Sequence, residues 1–218
     1  MNYILFDGDV RNALLPFTFT RPVADIRIGI LTIREKWEKY LNTTISTKTE
    51  KYLSKKYPMI NESANVLLNA SFCPTKALVS VILNLKKNEA VYKEDTLIAY
   101  FTENAREEVD FSDYKKINFE GDLLRVANTW DIFSDNGIAL QQDFEMITKG
   151  RQSAPISSTN QLINPENIFL EEGAKVEYSI LNATEGPIYL GKNSEIMEGN
   201  LIRGAFALCE KAVVKMGA

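Results

Sequence analysis

The sequence predicts an α/β domain over residues 1–150 that is followed, after a linker at 151–160, by coils of a parallel β-helix over 161–218. Two observations lead to this fold class. Short apolar, strand-like runs alternate with segments of helical periodicity in the first part, as in α/β domains. In the last part, aliphatic residues recur at every sixth position, which is typical of a β-helix.

The first part contains a series of strand and helix signals. Residues 3–6 form an apolar run that ends at Asp7-Gly8-Asp9, which indicates a buried strand leading into a loop. Thr75 precedes a helical pattern and is expected to cap that helix. The remaining predicted elements are a helix at 31–41, an exposed lysine-rich insertion at 43–58, a strand at 66–68, a hairpin of 90–92 with 97–101, and a helix at 138–147.

The six-residue repeat is clearest at the end of the chain. It runs through Leu190, Ile196, Ile202, Leu208 and Val214. The residue four positions after each of these is in most cases small. Each flat side of a triangular coil needs one inward aliphatic residue and a small residue at the corner. Amphipathic strands of a sandwich are the alternative, but these alternate with period two.

Upstream, the same step continues through Leu170, Val176 and Ile188. Asn182 breaks it, and a shift of two residues at Gly186-Pro187 is expected to reset the frame. Since the last coil of such a stack exposes apolar side chains and unpaired backbone, either a partner covers that end or the chain is part of a longer protein, and we expect the second.

Composition excludes several classes of function. The net charge of −4 and the absence of a basic stripe argue against nucleic-acid binding, and no apolar run is long enough to span a membrane. The N-terminus lacks the order of a signal peptide, and Cys73 and Cys209 lie far apart, which favours reduced thiols and a cytoplasmic location. There is no histidine, so histidine-based catalysis and imidazole metal sites are excluded.

The opening motif carries a resemblance. The run of Leu5-Phe6-Asp7, Arg11, Leu15-Pro16-Phe17-Thr18 and Arg21-Pro22 is similar to the opening of sugar-1-phosphate nucleotidyltransferases. The stretches 15–37 and 164–217 look like the Bacteroidetes-type branch of the bifunctional N-acetylglucosamine-1-phosphate uridylyltransferase/glucosamine-1-phosphate acetyltransferase group, whose members are often described as glucose-1-phosphate thymidylyltransferases. The resemblance implies a short Rossmann-like nucleotidyltransferase domain followed by the first coils of a left-handed β-helix, with a homotrimer formed through that β-helix.

The resemblance also implies an activity and a set of site residues. A sugar-1-phosphate would attack the α-phosphate of UTP or dTTP and expel pyrophosphate, with Mg²⁺ as cofactor. Arg11 would contact the triphosphate, and Arg21 would take the second basic position, as arginine pairs well with phosphate. The substrate-binding candidates are Thr20, Lys36 and Asn69. The alternative for Lys36 is a solvent-exposed position on a helix face, and the alternative for Asn69 is a turn-forming role.

Asp7 and Asp9 are the predicted metal ligands, from their place directly after a strand, with a turn-forming role as the alternative. Asp131 is a weaker metal candidate. The loop has one glycine where the family has several, and it has two acids that repel phosphate. A second hypothesis therefore stays open, in which the chain is a degenerate nucleotidyltransferase-like module that supports assembly or regulation of a β-helix acetyltransferase.

Overall fold

The computed structural model describes residues 1–218 and separates them into two compact units. Unit 1 comprises residues 1–27 and 31–133, and unit 2 comprises residues 28–30 and 134–218. No helix combines the length and the apolar character that a membrane span requires. The limits of 1–150, 151–160 and 161–218 stay a prediction, although unit 2 takes in the helix that we expected at 138–147.

Unit 1 is built on one six-stranded mixed sheet. Its strands stand in the order β4-β1-β5-β7-β6-β8, with β4, β1 and β5 parallel and β7 antiparallel to both of its neighbours. The strands before residue 134 are, in chain order, β1 (Asn2–Phe6), β2 (Arg27–Ile28), β3 (Leu31–Thr32), β4 (Ser46–Lys48), β5 (Asn65–Asn69), β6 (Glu89–Lys93), β7 (Thr96–Thr102) and β8 (Lys115–Asn118). The helices are α1 (Ile33–Leu41), α2 (Lys76–Leu83) and α3 (Asp131–Ser134).

Local signals explain where these helices and the hairpin begin and end. Thr32 and Glu35 form a capping box at the start of α1, and Asn42 ends this helix in the left-handed conformation. Thr75 caps α2 as predicted, because its hydroxyl accepts a hydrogen bond of 3.2 Å from the Leu78 amide. The predicted hairpin is confirmed as β6 and β7, with Glu94 in a left-handed turn conformation between them.

The prediction of an exposed insertion at 43–58 is wrong over its first part. Residues 46–48 form β4, which pairs in parallel with β1 at the edge of the sheet. Thr47 is only 1% exposed. The polar composition of this segment concealed the strand, because an edge strand of three residues needs only one buried side chain and gains its backbone hydrogen bonds from a distant partner.

Aromatic side chains cover one face of the sheet. Tyr100 of β7 packs there beside Ile4 and Leu67 of the neighbouring strands. Its ring meets that of Phe111 edge-on at 5.0 Å and that of Phe6 at 6.0 Å. Edge-to-face contacts of this kind hold a ring in one orientation.

Unit 2 contains helix α4 (Asn136–Thr148) and three parallel stacks of short strands. The strands are β9 (Gln161–Ile163), β10 (Ile168–Leu170), β11 (Lys175–Val176), β12 (Ile180–Asn182), β13 (Ile188–Leu190), β14 (Glu195–Ile196), β15 (Leu201–Arg203), β16 (Phe206–Leu208) and β17 (Val213–Val214). The stacks are β10-β13-β16, β11-β14-β17 and β9-β12-β15. Three stacks of parallel strands are the three sides of a coil, which confirms the predicted β-helix coils.

The predicted inward residues form the core of these coils, and Leu181 supplies the inward residue where Asn182 breaks the step. Leu190 stacks between Leu170 and Leu208, and all three are buried. On the third side, the inward residue is Leu181 rather than position 182: Leu181 pairs with Leu162 and Ile202 and has no exposed surface. The six-residue step fails here because Leu181 comes one position early and a longer connection follows it.

Asparagine amides join successive coils at one corner. Asn160 Nδ2 donates to the carbonyls of Ser157 and Val176, and its Oδ1 accepts from the Ser179 amide. Asn200 repeats this pattern with the carbonyls of Met197 and Lys215 and the amide of Ala218. Each side-chain amide thus forms hydrogen bonds with backbone groups at the corner of its own coil and at the corner of the next.

Candidate functional site

A pocket of about 350 Å³ lies at the carboxyl ends of β1 and β4 in unit 1. It is lined by Phe6, Asp7, Gly8, Arg11, Lys48, Thr49, Glu50, Lys51 and Tyr100. Since β1 has β4 on one side and β5 on the other, the chain leaves β1 where the strand order reverses. Ligands of open α/β sheets bind in the crevice at such a point.

Asp7 and Arg11 form a buried ion pair at the floor of this site. Arg11 Nη1 lies 2.7 Å from Asp7 Oδ2, and both side chains are at most 10% exposed. The Thr49 hydroxyl also donates to Asp7 Oδ2, at 2.5 Å, and the Val23 amide donates to Oδ1 at 2.8 Å. The Asp7 carboxylate therefore joins β1 to the segment after β4 and to the loop at residue 23.

Arg11 makes further contacts with the protein. Its Nη2 donates to the Thr18 carbonyl at 2.6 Å and to the Tyr52 hydroxyl at 2.8 Å. The guanidinium carbon also lies 5.9 Å from the centre of the Tyr52 ring. These partners, together with Asp7, fix the orientation of the guanidinium, so that Arg11 enters the pocket wall as a preoriented cation.

Gly8 occupies a backbone conformation that is close to exclusive to glycine, with φ 66° and ψ −166°. An added Cβ would lie 3.1 Å from Asn69 Oδ1. Asn69 is itself held, because its Nδ2 donates to the Leu97 carbonyl and its Oδ1 accepts from the amide and the hydroxyl of Ser71. The positive φ and the close approach of Asn69 both require glycine at position 8, whose backbone lines the pocket.

The remaining predicted site residues lie elsewhere in the structure. Thr20 and Arg21 are exposed, and Lys36 is buried in α1; none of the three lines the pocket. Asp9 has a side chain that is 79% exposed, 3.5 Å from Arg125. Asp131 accepts hydrogen bonds from the amides of residues 127 and 128. The structure therefore brings together Asp7, Arg11 and Gly8, with Asn69 behind them.

A family model described as a sugar nucleotidyl transferase matches residues 3–152, about two thirds of the chain. The chain belongs to the sugar nucleotidyl transferase family. Comparison with curated proteins finds no match. Every residue that lines the pocket falls within the stretch that this family defines, whereas the β-helix strands lie beyond it.

Five pocket residues of this sugar nucleotidyl transferase were missed by the sequence analysis: Lys48, Thr49, Glu50, Lys51 and Tyr100. The lysines belong to the segment that we read as an insertion, and a strand at 46–48 would have placed them at the sheet edge. Lys48 Nζ donates to the Ala105 carbonyl at 2.8 Å, whereas Lys51 is exposed. No local signal marks Tyr100, which reaches the pocket only through the pairing of β5 with β7.

The site residues do not present a ligand set that fits Mg²⁺ in this arrangement. Both oxygens of Asp7 accept hydrogen bonds from protein donors, and no group of three or more acidic or cysteine side chains is placed to hold a metal. Mg²⁺ prefers an octahedral set of oxygens with several waters. The assignment of Asp7 and Asp9 as metal ligands stays a prediction.

Proposed function

We propose that the chain transfers a nucleotidyl group from UTP or dTTP to a sugar-1-phosphate and releases pyrophosphate. The observation that carries the proposal is the pocket at the end of β1, where the bare backbone of Gly8 meets the cations Arg11, Lys48 and Lys51. This combination suits a polyphosphate, because backbone and cationic groups together bind phosphate oxygens.

In the reaction, a phosphate oxygen of the sugar-1-phosphate attacks the α-phosphorus of the nucleoside triphosphate. The bond from this phosphorus to the bridging oxygen breaks, and pyrophosphate leaves with the electron pair. Positioning and charge stabilisation supply most of the catalysis in such transfers. Lys51 and Arg11 offset the charge on the phosphates, while Asp7 acts as a positioning residue that holds the Arg11 guanidinium.

One observation favours the second candidate, a degenerate module. Arg11 is already bonded to Asp7, to the Thr18 carbonyl and to Tyr52, so that a phosphate must compete with these partners. In this alternative, the domain turns over no substrate and serves to place the β-helix, which forms a homotrimer or regulates an acetyltransferase of the bifunctional type. It predicts trimers whose assembly does not depend on nucleotide.

The test measures pyrophosphate release from mixtures of UTP or dTTP with glucose-1-phosphate or glucosamine-1-phosphate, with Mg²⁺ and with EDTA in its place. Thermal shifts with each compound alone report binding, since a ligand well above its Kd stabilises the folded state by a few kcal/mol. Pyrophosphate release confirms the enzyme. Absence of both release and any thermal shift with nucleotide refutes it, and nucleotide-independent trimers then support the module.

A matched pair of lysine variants locates the site. Lys51 and Lys55 are both exposed residues of one segment, but only Lys51 lines the pocket. We expect Lys51→Ala to raise the Kd for nucleotide about tenfold, the size expected for loss of one charged hydrogen bond. Lys55→Ala should leave the Kd unchanged. Equal effects of the two substitutions would show that only long-range charge matters.

A further inference from the structure

Tyr100 has a buried side chain whose hydroxyl is left without a protein partner. The residue lies in the middle of β7, is 7% exposed and lines the pocket. No hydrogen bond reaches its hydroxyl oxygen. That oxygen keeps access to solvent, because the only fully buried side-chain polar atoms without a partner are Arg125 Nε and Ser194 Oγ. Tyr100 is also one of the residues that line the pocket at the end of β1.

Two other tyrosines of unit 1 bond their hydroxyls to backbone carbonyls. The Tyr114 hydroxyl donates to the Phe101 carbonyl at 2.8 Å, and the Tyr52 hydroxyl donates to the Phe19 carbonyl at 2.9 Å. Buried tyrosine hydroxyls usually find a partner of this kind. A hydroxyl held at the wall of a pocket without one is available to a ligand.

The ring of Tyr100 is held in place by its neighbours. Phe111 contacts it edge-on at 5.0 Å with an interplanar angle of 89°, and Phe6 contacts it at 6.0 Å. Phe6 lines the same pocket, so the two rings form an apolar wall with one polar group. The same pocket contains Arg11, Lys48 and Lys51, which suit phosphate. An apolar wall and cations in one pocket fit a ligand with a ring and a phosphate group.

The protonation state of Tyr100 suits a donor. Burial, with a smaller effect of Tyr114, raises the pKa of Tyr100 to about 12. The phenol therefore stays neutral and protonated throughout the neutral and mildly alkaline range.

We propose that Tyr100 is a specificity-determining residue whose hydroxyl hydrogen-bonds an oxygen on the ring of a phosphorylated substrate. This inference rests on the proposed function and deepens it, because it assigns to this pocket the recognition of the substrate's ring as well as its phosphate. Two sources share this chemistry: the base of the nucleoside triphosphate and the ring of the sugar-1-phosphate. Titrations with each compound separately distinguish them.

The test compares Tyr100→Phe with Tyr114→Phe, two variants that each remove one hydroxyl from the same aromatic cluster. Calorimetric titrations of UTP, dTTP and glucose-1-phosphate give the Kd values, and thermal unfolding gives Tm. For Tyr100→Phe we expect the Kd of one of the two substrate classes to rise about 3- to 10-fold, as for loss of a neutral hydrogen bond, with Tm unchanged. For Tyr114→Phe we expect a lower Tm and unchanged Kd values, because its hydroxyl bonds to the protein.

Three outcomes overturn the proposal. If the wild-type protein binds and every Kd of Tyr100→Phe stays within twofold of it, the hydroxyl recognises no ring, while the proposed function still stands. If Tyr100→Phe lowers Tm as Tyr114→Phe does and weakens all ligands alike, its role is structural. If the wild-type protein binds none of the three compounds, the proposed function fails, and the assignment of Tyr100 fails with it.

Discussion

Replacement of Asp7 by asparagine removes the nearer and more buried of the two carboxylates beside Arg11; the other, Glu50, is 56% exposed and lies 3.9 Å from Arg11 Nε. Arg11 Nη1 lies 2.7 Å from Asp7 Oδ2, and the Arg11 and Asp7 side chains are only 10% and 8% exposed, so that water compensates for little of the lost interaction. The new amide group would also direct a donor toward the hydroxyl of Thr49 or the guanidinium. Breaking a buried ion pair from one side costs about 3–5 kcal/mol, and we expect a loss of this size for Asp7→Asn.

Asp9→Asn is the matched control. Asp9 belongs to the same loop, but its side chain is 79% exposed, and its nearest cation is Arg125 at 3.5 Å. We expect a change of less than about 0.5 kcal/mol for this variant. The double variant Asp7→Asn/Arg11→Met should recover part of the loss, because no unbalanced charge then remains.

Urea unfolding followed by tryptophan fluorescence measures these differences in the right part of the chain. Both tryptophans, Trp37 and Trp130, lie in unit 1, and Trp37 is fully buried, so its emission reports the unfolding of that unit. If Asp7→Asn destabilises no more than Asp9→Asn, the ion pair is not an anchor of the site. The Asp7 carboxylate would then be available to a metal.

Three further predictions concern the glycine of the pocket, the core of the coils and an ion pair of unit 2. Gly8→Ala should destabilise unit 1 by about 1–3 kcal/mol in the same fluorescence assay, because alanine is strained at φ 66°; no change would mean that the loop adopts another conformation. Leu181→Ala should cost about 2–5 kcal/mol by circular dichroism, against less than about 0.5 kcal/mol for Leu201→Ala, since Leu181 is fully buried and Leu201 is 74% exposed; equal losses would contradict the inward position of Leu181. A hydrogen bond from Arg151 lowers the pKa of Glu171 below its ordinary value of 4.5, so the stability it contributes is present above that pH and is lost as the pH falls through the lowered pKa. The difference in Tm between the wild-type protein and Arg151→Met should accordingly shrink as the pH is lowered below 4.5, and a difference independent of pH would rule out this linkage.

The elements that the sequence predicted correctly have local signals. Thr75 caps α2 through its own side chain, and the hairpin turns at residues 93–95 between two apolar runs. The β-helix coils could be predicted from the sequence because each side of a coil requires one inward aliphatic residue. β4 was missed because its stability comes from pairing with β1, which is distant in the sequence. The break at Asn182 was predicted, but Leu181 was not identified as the inward residue, because a period cannot show where a coil shortens one side and lengthens the next connection.

The site was predictable only where it is local. Asp7, Gly8 and Arg11 follow one strand and meet in one pocket. The residues that complete the site are distant in the sequence: Thr49 and Tyr52 come from the segment after β4, and Tyr100 comes from β7. Arg21 was expected beside Arg11 from the family motif alone, and the pocket includes Arg11 without it. A motif fixes the order of residues along the chain, whereas their convergence depends on sheet pairing.

The asparagine corners of unit 2 have a consequence for how the coils choose their alignment. The interior is aliphatic on every side, so one coil turned by a single repeat over the next would still place one aliphatic side chain over another. Asn160 and Asn200 exist at only one corner, and Asn200 has no exposed surface. A coil stacked out of register would leave this amide among carbon atoms, at a cost of about 1–3 kcal/mol. Burial of the apolar residues thus stabilises the coils, and the amides of Asn160 and Asn200 determine the register in which one coil stacks on the next.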